Sequence, residues 1–573
     1  MQSDNHNRIP ASDTAAMGDR ADAGDTAIHR VFRSWLVLAS IVVLAAVARF
    51  WALDFGLPHT QARPDETFTI DVALKLLRGE LWPRFYDYPR LYAYAVTLLY
   101  LGYYVWGALT ERFSTLAEMV ASWPTYWAPF FLLSRGLSAA VGTLTVVVVN
   151  GIGRHLAGRG AGLIAAFFMS LAFIHVRDSH FGTTDVAMTL LAVCSVWWLL
   201  RDDGDGVSRY GVLAAVSAGL ATATKYTAVL LTVPIGLSQL VRAVRTKRRP
   251  VMWTLAWSGV TLGGAFVLAL LIGVPFVLFD SSRFFSAMST LAEFIRAGNK
   301  SHIEMPNGWW FHFSQSLRYG VGAPLLGLGL AGGVLMAVRD WPRALVFWAF
   351  PVTCFAVAGF SDALFTRYMI PVVPFLCVGA AMAVVEIGRA LGTRFGVRPA
   401  VVSTVVALAT VAPTAWNVVR FDQVMGKVDN RVLVADWVQR QVPRGSSIVQ
   451  SGSQYGQFQL QRGHGLRAWK WDLKRLVFIE DVGPAAGRPD WIVLQQSPLL
   501  SQNQGIVLDW LRSGYELVAE FVAFDTKATG NVYEPQDRFY LPMRGFAGVT
   551  RPGPNFYVYR RTDTQADGVS PPP

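Results

Sequence analysis

Long apolar runs separated by short polar segments fill the first 418 residues of the chain. A helix that crosses a bilayer needs about 20 mostly apolar residues. The runs are continuous, whereas a membrane β-barrel would show short alternating segments, so they indicate helices. We predict a polytopic α-helical membrane protein with about eleven spans, near 32–51, 133–153, 161–176, 186–200, 210–223, 226–241, 252–278, 321–338, 343–359, 369–388 and 400–418.

The pattern changes after residue 418, where the apolar runs become too short to span a membrane. Four segments have the pattern of strands and one has helical spacing, which predicts a small α/β domain over 419–562. The polar segments 1–30 and 563–573 are interpreted as disordered tails. The strand-like segments are 446–452, 490–496, 515–524 and 555–561, and the helical segment is 432–442.

The composition agrees with a membrane protein. Hydrophobic residues make up 53% of the chain and charged residues 16%, against about 25% charged in soluble globular proteins. This excludes a disordered chain and an ordinary soluble enzyme. The net charge of +12 fits the excess of Lys and Arg on the cytoplasmic side of membrane proteins. We expect no nucleic-acid partner, because no recognition motif accompanies the charge.

The segment 90–109 is also apolar, and the distribution of basic residues decides how it is interpreted. If it does not cross and the N-terminus is cytoplasmic, the cytoplasmic loops after residue 131 hold 14 Lys and Arg and the opposite loops after residue 131 hold 7. We therefore predict a partly embedded helix within a long first outer loop, 54–131, and place the C-terminal domain outside the cell or inner membrane. A chain with twelve spans and an outer N-terminus is the alternative.

Two adjacent carboxylates stand at the start of this loop. Asp65 and Glu66 follow Pro64 at the predicted N-terminus of a short amphipathic helix. Acidic residues are ordinary in a first helical turn, so a purely structural role is an open alternative.

Further polar residues occur where a membrane protein usually avoids them. His180 and Asp185 lie between two spans, Lys225 and Arg367 interrupt apolar segments, and His302 lies in a later outer loop. Charged residues at such positions are costly and are functional candidates. By the topology above, all of them lie on the outer face together with Asp65. This predicts an anionic, membrane-anchored substrate whose phosphate is held by cations, with a carboxylate as base.

At these residues the sequence resembles the membrane glycosyltransferases of the GT-C fold, within them the glycosyltransferase family 39 group of protein O-mannosyltransferases and aminoarabinose transferases. The resemblance covers about 54–450. The matching segments are PDE (64–66), RGELWP (78–83), FYDYPRLYAY (85–94), the stretch 134–167, SHFGTTD (179–185), GLATATK (219–225), RYMIPVVP (367–374) and 429–448.

The resemblance implies transfer of a sugar from a polyprenyl-phosphate donor to an acceptor protein, lipid or glycan on the outer side. It implies Asp65 as the base of an inverting displacement and Glu66 as a supporting or acceptor-orienting group. Lys225 and Arg367 are assigned to the donor phosphate, and His180, Asp185 and His302 to substrate binding.

No cofactor is expected to be required. A divalent ion, Mg²⁺ or Mn²⁺, held by Asp65 and Asp185 is the alternative, since carboxylates suit these ions. Two other functions also stay open. A transporter or lipid flippase would place charges near the middle of the bilayer, and a scaffold protein would need no clustered charges.

Overall fold

The computed structural model describes residues 34–82, 86, 88–202, 207–246, 250–297, 306–460, 463–472, 475–480, 483–485, 487–499 and 503–562. The segments interpreted as tails, 1–30 and 563–573, lie outside these ranges. His302 lies outside them as well, so its assignment to substrate binding stays a prediction.

Helices make up the described part of the chain as far as Met425. Those before residue 128 are α1 Ser34–Phe50, α2 Pro64–Leu77, α3 Leu91–Leu109 and α4 Leu116–Ala121. The following helices are α5 Ala128–Ser170, α6 Phe173–Ser179, α7 Thr184–Leu200, α8 Arg209–Thr224, α9 Thr232–Thr246, α10 Val251–Gly273, α11 Ser281–Ala297, α12 Gly308–Phe311, α13 Arg318–Val321, α14 Ala323–Arg339, α15 Trp341–Gly359, α16 Val373–Phe395 and α17 Pro399–Met425.

Short 3₁₀ helices of six and seven residues precede α9 and α16, at Tyr226–Leu231 and Thr366–Val372. These two 3₁₀ helices matter for the site described below, because each begins beside a basic residue.

Within the described ranges, six helical stretches are long and apolar enough to cross a membrane by length and composition. A seventh counts if the stretch from α12 to α13 and helix α14, bent by 108° relative to each other, form one span. This supports a polytopic helical membrane protein, while the number of eleven spans stays a prediction. The six are Ala128–Ser170, Tyr226–Arg245, Val251–Gly273, Trp341–Gly359, Thr366–Phe395 and Pro399–Gln441.

The long helix α5 contains a break that the sequence pattern anticipates. Ala157 and Gly158 leave helical geometry, and Gly158 takes a φ of +87°, which glycine adopts without steric cost. The break falls between the predicted spans 133–153 and 161–176, so two helical segments of different direction follow each other there.

Helix α3 is the apolar segment 90–109 of the sequence. It is absent from the stretches that satisfy the length and hydropathy requirement. It packs on α5, where the Tyr92 hydroxyl donates to the Ser134 carbonyl at 3.0 Å and that of Tyr100 donates to the Phe130 carbonyl at 2.9 Å. Buried hydroxyl groups that find partners in this way fix α3 against the bundle.

Small residues allow the central helices to approach closely. A Cβ on Gly332 of α14 would lie 1.8 Å from the carbonyl oxygen of Gly379 of α16. Close backbone approach at small residues is typical of helix packing in membranes. Helix α16 is buried along most of its length and is therefore the centre of the bundle.

A mixed α/β domain follows the bundle. Its helices are α18 Asn430–Gln441 and α19 Gly505–Leu511, and its sheet has the order β4-β3-β2-β1-β5-β7-β6. The strands are β1 Ser447–Gln450, β2 Arg467–Asp472, β3 Val477–Glu480, β4 Gly483–Pro484, β5 Trp491–Gln496, β6 Tyr515–Phe521 and β7 Asn555–Arg561.

The central strand β1 is parallel to both of its neighbours, β2 and β5, and the remaining pairs are antiparallel. The predicted boundary at 418 is too early, because α17 continues to Met425 and its side chains Phe421, Val424 and Met425 are buried against the bundle and the domain.

Candidate active site

A cavity of about 860 Å³ opens between the segment 54–131 and the helical bundle. Four of the residues singled out by the sequence line it, namely Asp65, Asp185, Lys225 and Arg367. The C-terminal domain contributes Tyr455 to the wall. The volume is within the range of small-molecule sites.

Each of the four side chains is presented by the end of a helix. Asp65 lies in the first turn of α2, with Pro64 at its start, and Asp185 lies in the first turn of α7. Lys225 stands between α8 and the following 3₁₀ helix, and Arg367 lies in the 3₁₀ helix that precedes α16. Acidic side chains at helix N-termini are stabilised by the helix dipole, which explains the positions of the two carboxylates.

The four side chains form two ion pairs. Arg367 donates from Nη1 to Oδ2 of Asp65 at 2.6 Å, and the Lys225 ammonium donates to Oδ1 of Asp185. Aromatic rings flank both cations, with Phe365 4.4 Å from the Arg367 guanidinium and Tyr368 5.4 Å from the Lys225 ammonium. Such rings stabilise cations that are partly removed from water.

Exposure distinguishes the members of the two pairs. The side chain of Asp65 is 44% exposed, against 14% for Arg367 and 5% for Asp185. Asp65 is thus the carboxylate that a second molecule can reach most easily, and it is held by a neighbour that can also bind an anion.

A second layer of charge lies beneath Asp65 and Arg367. Asp537, from the C-terminal domain, accepts hydrogen bonds from the guanidinium groups of Arg63 and Arg177, the latter at 2.7 Å. Glu534 accepts from Arg177 at 2.9 Å. These side chains are at most 5% exposed. The site therefore includes the C-terminal domain.

The pKa values of the two carboxyl groups of this layer, Asp537 and Glu534, are shifted in opposite directions. Burial would raise the pKa of Asp537, but the guanidinium groups of Arg63 and Arg177 outweigh burial and hold it well below its usual range. Burial, followed by the neighbouring Asp537 carboxylate, raises the pKa of Glu534 to about 7. Asp537 is therefore the more acidic of the two carboxyl groups.

Glu66 does not face the cavity, contrary to the role assigned from the sequence. Its carboxylate is fully buried and accepts two hydrogen bonds from Arg135, at 2.8 and 2.7 Å, and one from the Gly182 amide at 2.9 Å. A side chain engaged in this way cannot orient an acceptor. Glu66 joins the first loop to α5 and to the loop that precedes α7.

His180 is also outside the cavity wall. It is fully buried, its Nδ1 lies 2.9 Å from the Val176 carbonyl oxygen, and its ring packs on Phe421. Burial lowers the pKa of His180 to about 4, so the ring is neutral at physiological pH. The assignment of His180 to substrate binding is therefore not supported by its position.

The expectation that no cofactor is required, with Mg²⁺ or Mn²⁺ at Asp65 and Asp185 as the alternative, stays a prediction. Within the described ranges, no group of three or more His, Cys, Asp or Glu side chains is placed to hold a metal ion. Asp65 and Asp185, the two carboxylates considered for that role, are each paired with a basic side chain. The donor set is thus occupied by protein cations, and we assign no step to a metal.

Part of the cavity wall is apolar and aromatic. Met188, Leu230, Phe350, Val357 and Pro371 line it together with Tyr368. An apolar wall next to paired charges suits a ligand that has a hydrocarbon part and an anionic part.

Sequence reasoning missed Arg63 and Asp537. Arg63 directly precedes the segment PDE, and its position next to Asp65 was the one available signal. Asp537 lies in a polar stretch of the C-terminal domain with no recognisable motif. Only the folded chain shows that it lies beneath the cavity.

This architecture is similar to that of known proteins. Residues 133–278 match the protein family described as dolichyl-phosphate-mannose-protein mannosyltransferase. No curated protein sequence matches the chain.

Among solved structures, ArnT from Cupriavidus metallidurans bound to undecaprenyl phosphate is similar, with a TM-score of 0.51 and 14% identity over 94% of this chain and 99% of that chain. The oligosaccharyltransferase of Archaeoglobus fulgidus in complex with Zn and sulfate has a TM-score of 0.51 and 12% identity, over 92% of this chain and 88% of that chain. In the apo crystal form of the same oligosaccharyltransferase, 73% of this chain spans 62% of that chain, with 12% identity and a TM-score of 0.49.

At these identities the likeness establishes a shared fold. The chain is a polytopic helical membrane protein with a C-terminal α/β domain and has the fold of GT-C glycosyltransferases. The resemblance predicted from the motifs is thereby confirmed.

Proposed function

We propose that this chain is an integral membrane glycosyltransferase that moves a sugar from a polyprenyl-phosphate-linked donor to an acceptor on the extracytoplasmic side. The observation that carries the proposal is the pairing of Asp65, 44% exposed, with Arg367 in a cavity that is apolar on one side. A lipid phosphate can bind the cations through its phosphate group and the apolar wall through its hydrocarbon chain. The protein that binds undecaprenyl phosphate in its crystal structure, ArnT, has the same fold.

The proposed chemistry uses the two cations for the leaving group. The donor phosphate binds Arg367 and Lys225, which are paired with carboxylates in the structure. As the bond between the anomeric carbon and the phosphate oxygen breaks, its electron pair passes to the phosphate, whose charge the cations stabilise. A general acid is not needed, because the phosphate leaves as a stable anion.

Asp65 is proposed as the base. When the donor phosphate takes its place at Arg367, the Asp65 carboxylate becomes free to accept the proton of the acceptor hydroxyl or amine. The acceptor oxygen or nitrogen then forms the new bond to the anomeric carbon from the face opposite the phosphate. A single displacement of this kind inverts the anomeric configuration. Asp185 holds Lys225 in place, since the two side chains are hydrogen bonded.

The proposed orientation puts the N-terminus in the cytoplasm and the C-terminal domain outside the cell or inner membrane. The distribution of basic residues supports it. The acceptor class is a protein, a lipid or a glycan.

The test uses the full chain in nanodiscs. Polyprenyl-phosphate mannose, glucose and aminoarabinose, each labelled in the sugar, are supplied separately with a membrane extract as the source of acceptor. Transfer or hydrolytic release of label from one donor, dependent on the protein, is the expected result. Movement of an intact labelled donor across the bilayer without loss of the sugar would instead identify a flippase.

A further inference from the structure

Four charged side chains form a closed ring that extends inward from the cavity wall. Asp65 Oδ2 lies 2.6 Å from Nη1 of Arg367 and 4.0 Å from Nη2 of Arg63. On the other side, Asp537 Oδ1 lies 3.9 Å from the same Nη1 of Arg367 and is hydrogen bonded to Nη1 of Arg63. The signs alternate around the ring, so each arginine is shared by two carboxylates.

Burial is graded across this ring. Arg63 is 1% exposed, Asp537 5%, Arg367 14% and Asp65 44%. Asp537 and Arg63 form the closed side, and Asp65 and Arg367 are the members that line the cavity, with Asp65 the more exposed. A ligand can thus displace Asp65 but cannot reach Asp537.

The C-terminal domain also holds the backbone that carries Arg367. The Leu364 amide donates to Oε1 of Gln536 at 2.8 Å, and the Thr366 amide donates to Oε1 of Glu534 at 2.6 Å. Three of the four consecutive residues 534–537 therefore contact the segment 364–367. This arrangement places the Asp537 carboxylate at a fixed position relative to the Arg367 guanidinium.

We propose that Asp537 is a positioning residue of the transfer reaction. Asp537 engages Arg63 and thereby leaves Asp65 free to exchange between Arg367 and the acceptor. The inference rests on the proposed function. Without the Asp537 carboxylate, Arg63 and Arg367 share Asp65 as their only carboxylate within the ring. Arg63 is already 4.0 Å from Asp65, and the other carboxylate in its electrostatic surroundings, Asp178, is paired with Arg177 at 3.5 Å. Because a buried guanidinium that lacks a counter-ion is costly, Arg63 would draw Asp65 away from the acceptor.

Kinetics of purified full-length variants in nanodiscs test this proposal, with the donor identified in the preceding assay. Asp537→Asn should lower kcat by about tenfold to a hundredfold, the size of effect caused by a misplaced reacting group. KM for the donor should not rise, because Arg367 and Lys225 are both retained. Asp537→Glu should recover part of kcat.

Asp202→Asn is the matched control. Asp202 is a fully buried carboxylate paired with Arg242, and neither residue lines the cavity. The asparagine removes the same charge from a buried ion pair away from the site. Its KM and kcat should stay within about twofold of wild type. A kcat loss in Asp202→Asn as large as in Asp537→Asn would show a general effect of breaking a buried ion pair and would overturn the inference.

A double variant separates positioning from loss of folding. Arg63→Gln combined with Asp537→Asn removes one charge of each sign, so Asp65 and Arg367 remain as a pair with no competitor. If Asp537→Asn folds, the double variant should have a higher kcat than Asp537→Asn. If Asp537→Asn does not fold, the double variant should have a kcat well above that of Asp65→Asn. A kcat as low as that of Asp65→Asn would refute the role of Asp537.

The outcomes also separate this inference from the proposed function. Donor turnover that depends on Asp65, together with a wild-type kcat for Asp537→Asn, would overturn the inference alone. Absence of turnover with every donor would overturn both.

Discussion

Replacement of Glu66 by alanine should lower the free energy of unfolding of the protein. This prediction distinguishes a structural from a catalytic role for Glu66, the second of the two adjacent carboxylates. Arg135 and Glu66 are 1% and 0% exposed. Arg135 also donates to the carbonyl oxygens of Leu53 and Phe55, at 2.6 and 3.0 Å. The alanine variant would leave this guanidinium buried without its counter-ion.

The magnitude follows from this geometry. Breaking a buried ion pair by removing one partner costs about 3–5 kcal/mol. The Gly182 amide also loses its acceptor, and a buried unsatisfied donor costs about 1–3 kcal/mol. The two terms share one site and do not add fully, so we expect a loss of about 3–5 kcal/mol. Glu66→Gln should lose less, because its amide oxygen can still accept from Gly182.

The assay is the free energy of unfolding in mixed micelles, from the loss of tryptophan fluorescence on titration with a denaturing detergent. Asp71→Ala is the matched control, because Asp71 lies on the same helix and pairs with Lys75 while 55% exposed. An exposed pair of this kind contributes about 1 kcal/mol or less. If Glu66→Ala were as stable as Asp71→Ala but inactive, the structural interpretation would be wrong and the acceptor-orienting role would be restored.

Three further predictions follow from the same contacts. Arg367→Ala should raise KM for the donor by about tenfold to a hundredfold, since a hydrogen bond to a charged group contributes about 1.5–3 kcal/mol; a change in acceptor KM alone would contradict the phosphate assignment. Lys225→Met should also raise donor KM, and equilibrium binding of labelled donor checks this; an unchanged affinity would remove Lys225 from the phosphate site. Glu534→Gln should become more stable relative to wild type as pH rises from 5 to 8. The pKa of Glu534 in the folded protein, about 7, exceeds its ordinary value of 4.5. The wild-type protein therefore has the stability contributed by this proton below pH 4.5 and loses it as pH rises through 7, whereas glutamine does not titrate. Thermal unfolding at several pH values measures the difference, and a difference that does not change with pH would contradict the shift.

Most of the bundle follows from the sequence because its signal is local. Apolar runs are read directly from the chain, and each predicted span contains or overlaps a helix of the structure. The positions of Asp185 and Lys225 at helix ends follow from the same pattern. The topology prediction put them on one face with Asp65 and Arg367, and all four line one cavity.

The roles of Asp65 and Glu66 could not be separated in this way. Successive residues of an α-helix point about 100° apart, so adjacent carboxylates face different surroundings. Which of them meets the cavity depends on the rotation of α2, and that rotation is set by Arg135 on a helix far along the chain. Sequence spacing near Asp65 does not contain this information.

The contribution of the C-terminal domain was also beyond sequence reasoning. Asp537 and Arg63 are 474 positions apart, and no local pattern predicts such a contact. Within the domain, β1, β5, β6 and β7 were predicted, while β2, β3 and β4 were not. Strand β2 reads RAWKWD, in which charged residues obscure the apolar alternation that identifies a strand.

The central claim is that Asp65 accepts a proton in a transfer for which Arg367 and Lys225 hold the donor phosphate. Single-turnover transfer and equilibrium donor binding, measured together on wild type and Asp65→Asn, test it most directly. The account predicts that Asp65→Asn binds the donor at least as well as wild type, because Arg367 loses a competing carboxylate, and transfers the sugar at least about a hundredfold more slowly. Transfer by Asp65→Asn at a rate close to that of wild type would contradict the account.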